Sequence, residues 1–263
     1  MTPTVHDVVT LLEAWAPAAT AEAWDNVGLQ VGRWESAIDT ALIALDVDEA
    51  VLAHARQIGA GLIISHHPVL FRPVTAVEDR TLAGRLVLGA AEGGVALFAA
   101  HTNLDRADGG VNDALCAAVG LQATPVGGEQ IGRLAQLDEA IALGDWAALV
   151  RDRLGADAVR VTGPADRPVR RVYVLSGAGR SEIDAALACH ADVLLTGEIG
   201  YHDGQKALYA GLSVVEAGHY ETEAPVLRTI EKHLQTEFQR LQYKIRTVVW
   251  EQSTCPFWYV RGR

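Results

Sequence analysis

Apolar residues recur along the chain with two periods, and the changes of period mark out the elements. Val8, Val9, Leu11, Leu12 and Trp15 share one side of a helical repeat. Thr4, with Asp7 three positions on, makes a capping-box pattern, so an opening helix is predicted, which Pro17 ends. A polar, glycine-bearing segment follows, Ala23-Trp24-Asp25-Asn26-Val27-Gly28-Leu29-Gln30-Val31-Gly32. Ala41–Asp46, Gly61–Ser65 and Val95–Ala100 are short, nearly continuous apolar runs, the pattern of strands buried on both faces. Asp48–Gly59 and Leu82–Glu92 between them are predicted helices.

The second half keeps this rhythm. Strands are predicted at Val172–Ser176, Asp192–Thr196 and Ser213–Glu216, helices at Glu182–His190, Gln205–Ala210 and Ala224–Phe238, and a closing strand at Lys244–Trp250. Strands alternating with helices predict an α/β fold with a largely parallel sheet. The region from 120 to 168 carries turn signals at Gly127-Gly128 and Gly163-Pro164 and a helix near Trp146–Leu154, and it reads as a junction. A first lobe is therefore expected over 1–120, with the C-terminal segment a candidate to return to it, and a second over 121–263, the boundary being approximate.

The two halves also repeat a chemical feature. Predicted strands run into Ser65-His66-His67 and His101-Thr102-Asn103-Leu104-Asp105 in the first half, and into Thr196-Gly197-Glu198 and His219-Tyr220-Glu221-Thr222-Glu223 in the second. Each half thus sets a His-x-x-x-acid unit directly after a buried strand, and ligands of open α/β sheets gather beyond the carboxyl ends of strands. Two related lobes facing each other would bring these units together. Neighbouring side chains on an extended segment point opposite ways, so His66 and His67 can share one ion only if the chain bends, and Pro68 favours a bend. Imidazole with carboxylate and no thiolate suits zinc, iron, manganese, cobalt or nickel. Among the nine histidines, His6, His54, His190 and His233 fall in predicted helices without partners, and His202 is a loop residue that could shuttle a proton or touch a substrate. In Trp24-Asp25-Asn26, Trp24 could stack on a base while Asp25 or Asn26 hydrogen-bonds to it; packing plus a turn explains the same residues. Gly177-Ala178-Gly179 fits a tight strand-to-helix turn better than a phosphate cradle.

Composition narrows the function. The 263 residues are 49% hydrophobic and 21% charged, which excludes a disordered or fibrous chain. The net charge of −11 (22 basic against 33 acidic residues) makes general nucleic-acid binding a poor fit. There is no apolar run of about 18 residues for a membrane span. The first basic residue is Arg33, so the start does not resemble a signal peptide. Cys116, Cys189 and Cys255 form no paired motif, which points to a reducing cytoplasm.

The segments Trp24–Gln30, Ile64–Pro68, Ala100–Asp105, Thr196–Glu198 and Ala217–Glu223, in this order, resemble the Nif-three-like dinuclear metal-centre proteins, often called GTP cyclohydrolase I type 2 homologues. The resemblance runs from about residue 5 to residue 260. It implies two similar α/β lobes with mixed sheets, a dinuclear metal site in the cleft between them, two divalent ions per chain, and a toroidal homohexamer. Carried over by position, the metal ligands are His66, His67, Asp105, His219 and Glu223, with Glu223 as the bridge and His101 as a sixth ligand or neighbour. The stretch from Asp105 to Ser176 has no room for the ferredoxin-like domain that longer relatives insert. Gly200 before Tyr201-His202 departs from the basic residue and histidine that many relatives place soon after the equivalent of Glu198.

What the resemblance implies for function is a dinuclear-metal-dependent hydrolase acting on a small molecule, a nucleotide or related heterocycle, through a metal-bound hydroxide, with His101 or His202 as the catalytic proton carrier. Two other readings use the same residues: a two-metal phosphoesterase or amidohydrolase, and a ring-shaped metal-binding scaffold without catalysis.

Overall fold

The computed structural model describes residues 1–260. In chain order the elements are α1 (Val5–Trp15), β1 (Gly28–Val31), β2 (Thr40–Ala44), α2 (Glu49–Gln57), β3 (Leu62–Ser65), α3 (Leu82–Glu92), β4 (Ala96–Ala99), α4 (Thr102–Arg106), α5 (Val111–Ala118), β5 (Ala123–Pro125), β6 (Arg133–Ala142), α6 (Leu143–Leu154), β7 (Arg160–Thr162), β8 (Pro168–Val174), α7 (Ile183–Ala188), β9 (Val193–Thr196), α8 (Tyr201–Tyr209), β10 (Ser213–Glu216), α9 (His219–Glu223), α10 (Pro225–Leu241) and β11 (Arg246–Val249). They form two compact units, Met1–Ala107 with Leu227–Thr254, and Asp108–Val226 with the segment from Cys255 onward. The first division thus falls upstream of the approximate boundary at residue 120 read from the sequence.

The first unit is built on a mixed sheet of order β1-β4-β3-β2-β11. β11, β2, β3 and β4 are parallel, and β1 runs antiparallel against β4. Every residue of β2, β3 and β4 is buried, as expected of strands covered on both faces. Leu42, Ile63, Leu97, Val51 and Leu86 join α2 and α3 to the sheet in one apolar cluster. The predicted capping box is formed: Thr4 Oγ1 accepts from the Asp7 amide, and the Asp7 carboxylate accepts from the Thr4 amide at 2.8 Å.

The second unit holds a mixed sheet of order β5-β6-β8-β9-β10-β7. β8, β9 and β10 are parallel, while β5, β6 and β7 pair antiparallel. Trp146, Val150, Val172, Leu195 and Val215 lie in the core on one face, and Tyr173, Leu194, Ile183 and Val214 lie in the core on the other. The α/β class and the parallel centres therefore agree with the sequence reading, and both sheets gain antiparallel edges.

Candidate metal centre

In the first unit the chemistry collects beyond the carboxyl ends of three adjacent parallel strands. Asp46 follows β2, His66 and His67 follow β3, and His101 follows β4 and caps α4, which carries Asp105. The chain bends at His66-His67, so both rings turn to the same place. The ring centroids of His66, His67 and His101 are 4.9, 5.1 and 5.5 Å apart, and one nitrogen from each lies within 4.8 Å of the others.

The other nitrogen of each ring is engaged. His66 Nδ1 is 2.8 Å from the carbonyl oxygen of Ala100, His67 Nδ1 is 2.7 Å from Asp46 Oδ1, and His101 Nδ1 is 2.8 Å from Asp25 Oδ1. A carbonyl and an ionised carboxylate can only accept, so each Nδ1 carries a proton and donates it backward, which turns the Nε2 side of each ring toward the shared space. Backing a histidine with an oxygen acceptor is how proteins orient metal-binding imidazoles. Asp25 illustrates the cost and its repayment. Its side chain is fully buried, and burial pushes its pKa up. The hydrogen bonds from His101 and from the Thr102 amide and hydroxyl outweigh that and hold the carboxyl well below the usual range. Asp46 also accepts from the Thr254 hydroxyl at 2.5 Å, tying a residue near the far end of the chain to His67.

His66 is fully buried, and its Nε2 is 3.6 Å from Asp105 Oδ1. That is too long for a hydrogen bond, but two donors about 2.1 Å from one tetrahedral cation stand roughly 3.4 Å apart. His66, His67 and His101 thus bring three imidazoles together, with the Asp105 carboxylate beside His66, and imidazole and carboxylate are donors that suit a first-row divalent ion. None of the cysteines belongs to it; burial pushes the Cys116 thiol up to about 12, and it lies in the core of the second unit.

The second unit repeats the plan more sparsely. Glu198 follows β9, and His219 follows β10 and starts α9. His219 Nδ1 is 3.2 Å from Glu198 Oε1, and its Nε2 is 3.2 Å from Glu223 Oε1, one helical turn on. The Glu223 side chain is nearly buried, against 37% exposure for His219. Gly177, after β8, has φ +60°, and a Cβ there would overlap Glu223 Oε1, so the backbone leaves the carboxylate its room. His202 lies on the exposed first turn of α8, with Nδ1 3.1 Å from Gln205 Oε1, because α8 begins earlier than the helix predicted at Gln205–Ala210.

Among the residues read from the sequence, the structure thus gathers His66, His67, His101 and Asp105 in the first unit and His219 with Glu223 in the second. Asp25, read as a substrate contact or turn residue, instead orients His101. Asp46 and Glu198 went unassigned as histidine partners; a carboxylate at the end of a strand beside a histidine-ended neighbour was the signal.

A profile of the Duf34/NIF3 (NGG1p interacting factor 3) proteins matches residues 3–256. The chain belongs to the Duf34/NIF3 family. Among its relatives, a GTP cyclohydrolase 1 type 2 homolog of Clostridium perfringens is 31% identical over 97% of this chain and 99% of that protein. Another of the same description from Streptomyces coelicolor is 33% identical over 97% and 94%. A Bacillus cereus protein related to NIF3 superposes with a TM-score of 0.92 at 27% identity, covering 99% of this chain and all of that one. The chain therefore carries the NIF3 fold essentially from end to end. No helix among the described residues is long and apolar enough to cross a membrane.

Proposed function

We propose that this NIF3 protein is a dinuclear-metal-dependent hydrolase of a nucleotide or related heterocycle, in the manner of a GTP cyclohydrolase. The observation that carries the reading is the common handling of four histidines: each has Nδ1 turned to an oxygen acceptor, the arrangement by which proteins orient metal-binding imidazoles. In this reading, which the family resemblance implies, His66, His67, His101, Asp105, His219 and Glu223 would hold a pair of ions. The pair would supply Lewis acidity and, at neutral pH, a water activated for attack.

The protein's own groups have distinct tasks. Asp25, Asp46, Glu198 and the Ala100 carbonyl fix the tautomer and direction of the rings. Asp105 and Glu223 would offset about two of the four positive charges of such a pair, and the excess would favour an anionic or carbonyl-bearing substrate despite the acidic chain. A proton must reach the ring nitrogen released when a heterocycle opens; His202 would carry it, or His101 where it stands beside the ions rather than on them. A homohexamer belongs to the same reading, and sedimentation tests it separately.

The test begins with metal analysis of protein purified without added metal or chelator, expected to give two ions per chain. Incubation with GTP is expected to release formate and a pterin precursor, with activity lost on chelation and in Glu223→Ala. Stoichiometric metal with no formate from GTP or related heterocycles, under several metals, would sink the hydrolase reading.

A further inference from the structure

We infer that Trp24 and Phe71 form a stacking platform for a planar heterocycle beside the first-unit histidines, with the Arg72 guanidinium set to meet an anionic group of the same molecule. The inference rests on the proposed heterocyclic substrate, but it concerns binding and needs no turnover.

Trp24 and Phe71 are 60% and 39% exposed, although aromatic rings of this size ordinarily bury most of their surface. Their exposure is not that of loose side chains. Trp24 precedes Asp25, which is held by His101 and Thr102. Asn26 Nδ2 donates to the Leu70 carbonyl at 2.5 Å, the Leu70 amide donates to Gln30 Oε1 at 3.0 Å, and Gln30 Nε2 donates to the Asn26 carbonyl at 2.8 Å. Polar lacing therefore fixes the two segments that carry the rings, and both rings stay open to solvent.

The rings are placed around a candidate metal-binding histidine. Trp24 and Phe71 meet edge to face, 5.8 Å between centroids at 68°. Each meets His101 in the same manner, at 6.2 Å and 76° for Trp24 and 6.1 Å and 81° for Phe71. Three rings already in mutual contact leave no slot between them, so a ligand ring must lie on an outer face. That arrangement accepts any flat π system without reading its edges. Arg72 Cζ stands 5.7 Å from the Phe71 centroid, within cation–π range, at the rim of the platform. A guanidinium there suits a phosphate or carboxylate, which it can grip with two N–H groups. A flat base and an anion on one molecule describe a nucleotide.

The experiment titrates the full-length protein as purified with GMP, guanosine and ribose 5-phosphate, following bound ligand by equilibrium dialysis and formate in the same samples. GMP is expected to bind at least about tenfold more tightly than ribose 5-phosphate, and Trp24→Ala to weaken GMP about tenfold while Trp24→Phe recovers most of it. Arg72→Ala should weaken GMP and leave guanosine unchanged. Equal binding of GMP and ribose 5-phosphate, no binding of GMP, or Trp24→Phe and Trp24→Ala both matching the parent would overturn the platform. So would a Trp24→Ala protein whose sedimentation changes while its GMP affinity does not, since the rings would then cover a contact between copies. Stacking without formate release leaves the platform standing, because it concerns binding alone; the hydrolase reading is decided separately by the GTP assays under several metals.

Discussion

The two units solve one problem with different stringency. In the first, three imidazoles are held from behind at 2.7–2.8 Å by a main-chain carbonyl and two carboxylates, and His66 is sealed from solvent. In the second, one imidazole is held at 3.2 Å by Glu198 and stays 37% exposed. The His-x-x-x-acid unit also behaves differently in the two. His219 and Glu223 remain a pair across one helical turn, whereas His101 turns to Asp25 and Asp105 approaches His66. The first set is preorganised by burial and short hydrogen bonds; the second keeps freedom to adjust. A rigid set should hold an ion tightly, and a looser one should contribute less affinity.

The strongest way to break this contrast is to remove a donor from each side. His66→Ala should lower metal affinity by at least about 100-fold, beyond what loss of an outer partner costs, and His219→Ala by about tenfold, read by dialysis against buffered metal. Equal losses would mean that the rigidity of the first set has no energetic consequence. Next come the backing carboxylates. Asp25→Asn lets an amide N–H face Nδ1 and so permits the wrong tautomer; a loss of about 10–100-fold is expected, against a few-fold for Glu198→Gln. Cobalt-substituted protein should show a changed visible spectrum in the first variant and little change in the second.

A smaller effect is expected one step further out. Thr254→Val removes the hydroxyl that holds Asp46, and metal affinity should fall about 2–10-fold, the scale of one hydrogen bond, with Thr254→Ser restoring it. The smallest effect lies in the first unit but away from the centre. His233 stacks on Trp15 at 4.3 Å, and burial lowers its pKa below the ordinary 6.5. The unfolded chain therefore takes up its proton first as pH falls, and this contribution is intact above pH 6.5 and is lost as pH drops through the folded value. Thermal unfolding at descending pH should show Tm falling by a few degrees at most, and His233→Gln should flatten that slope.

Much of the architecture was legible because buried parallel strands leave continuous apolar runs, as in Leu42–Ala44 and Leu62–Ile64. β6 was not, since most of Arg133–Ala142 is only partly covered and its charged positions break the alternation. β1 escaped because its four residues carry a glycine and one fully buried position. Helix α5 was missed beside a glycine-rich turn, and α4 and α9 are five-residue helices too short to show a period. At the candidate centre, strand-end histidines stood out by residue type. Their partners did not: Asp25 and His101 are 76 positions apart, so their contact exists only once β1 lies against β4.

The place of β11 has a consequence for how the protein is made. Residues 246–249 complete the parallel pairing of β2, and Thr254 then reaches Asp46. On a ribosome, β2 emerges long before β11 exists, so one flank of the first sheet stays open while residues 108–226 of the second unit are translated. Stalling or premature termination ahead of Arg246 would leave that flank available for pairing with another nascent chain, and the anchor behind His67 would lack its last tether.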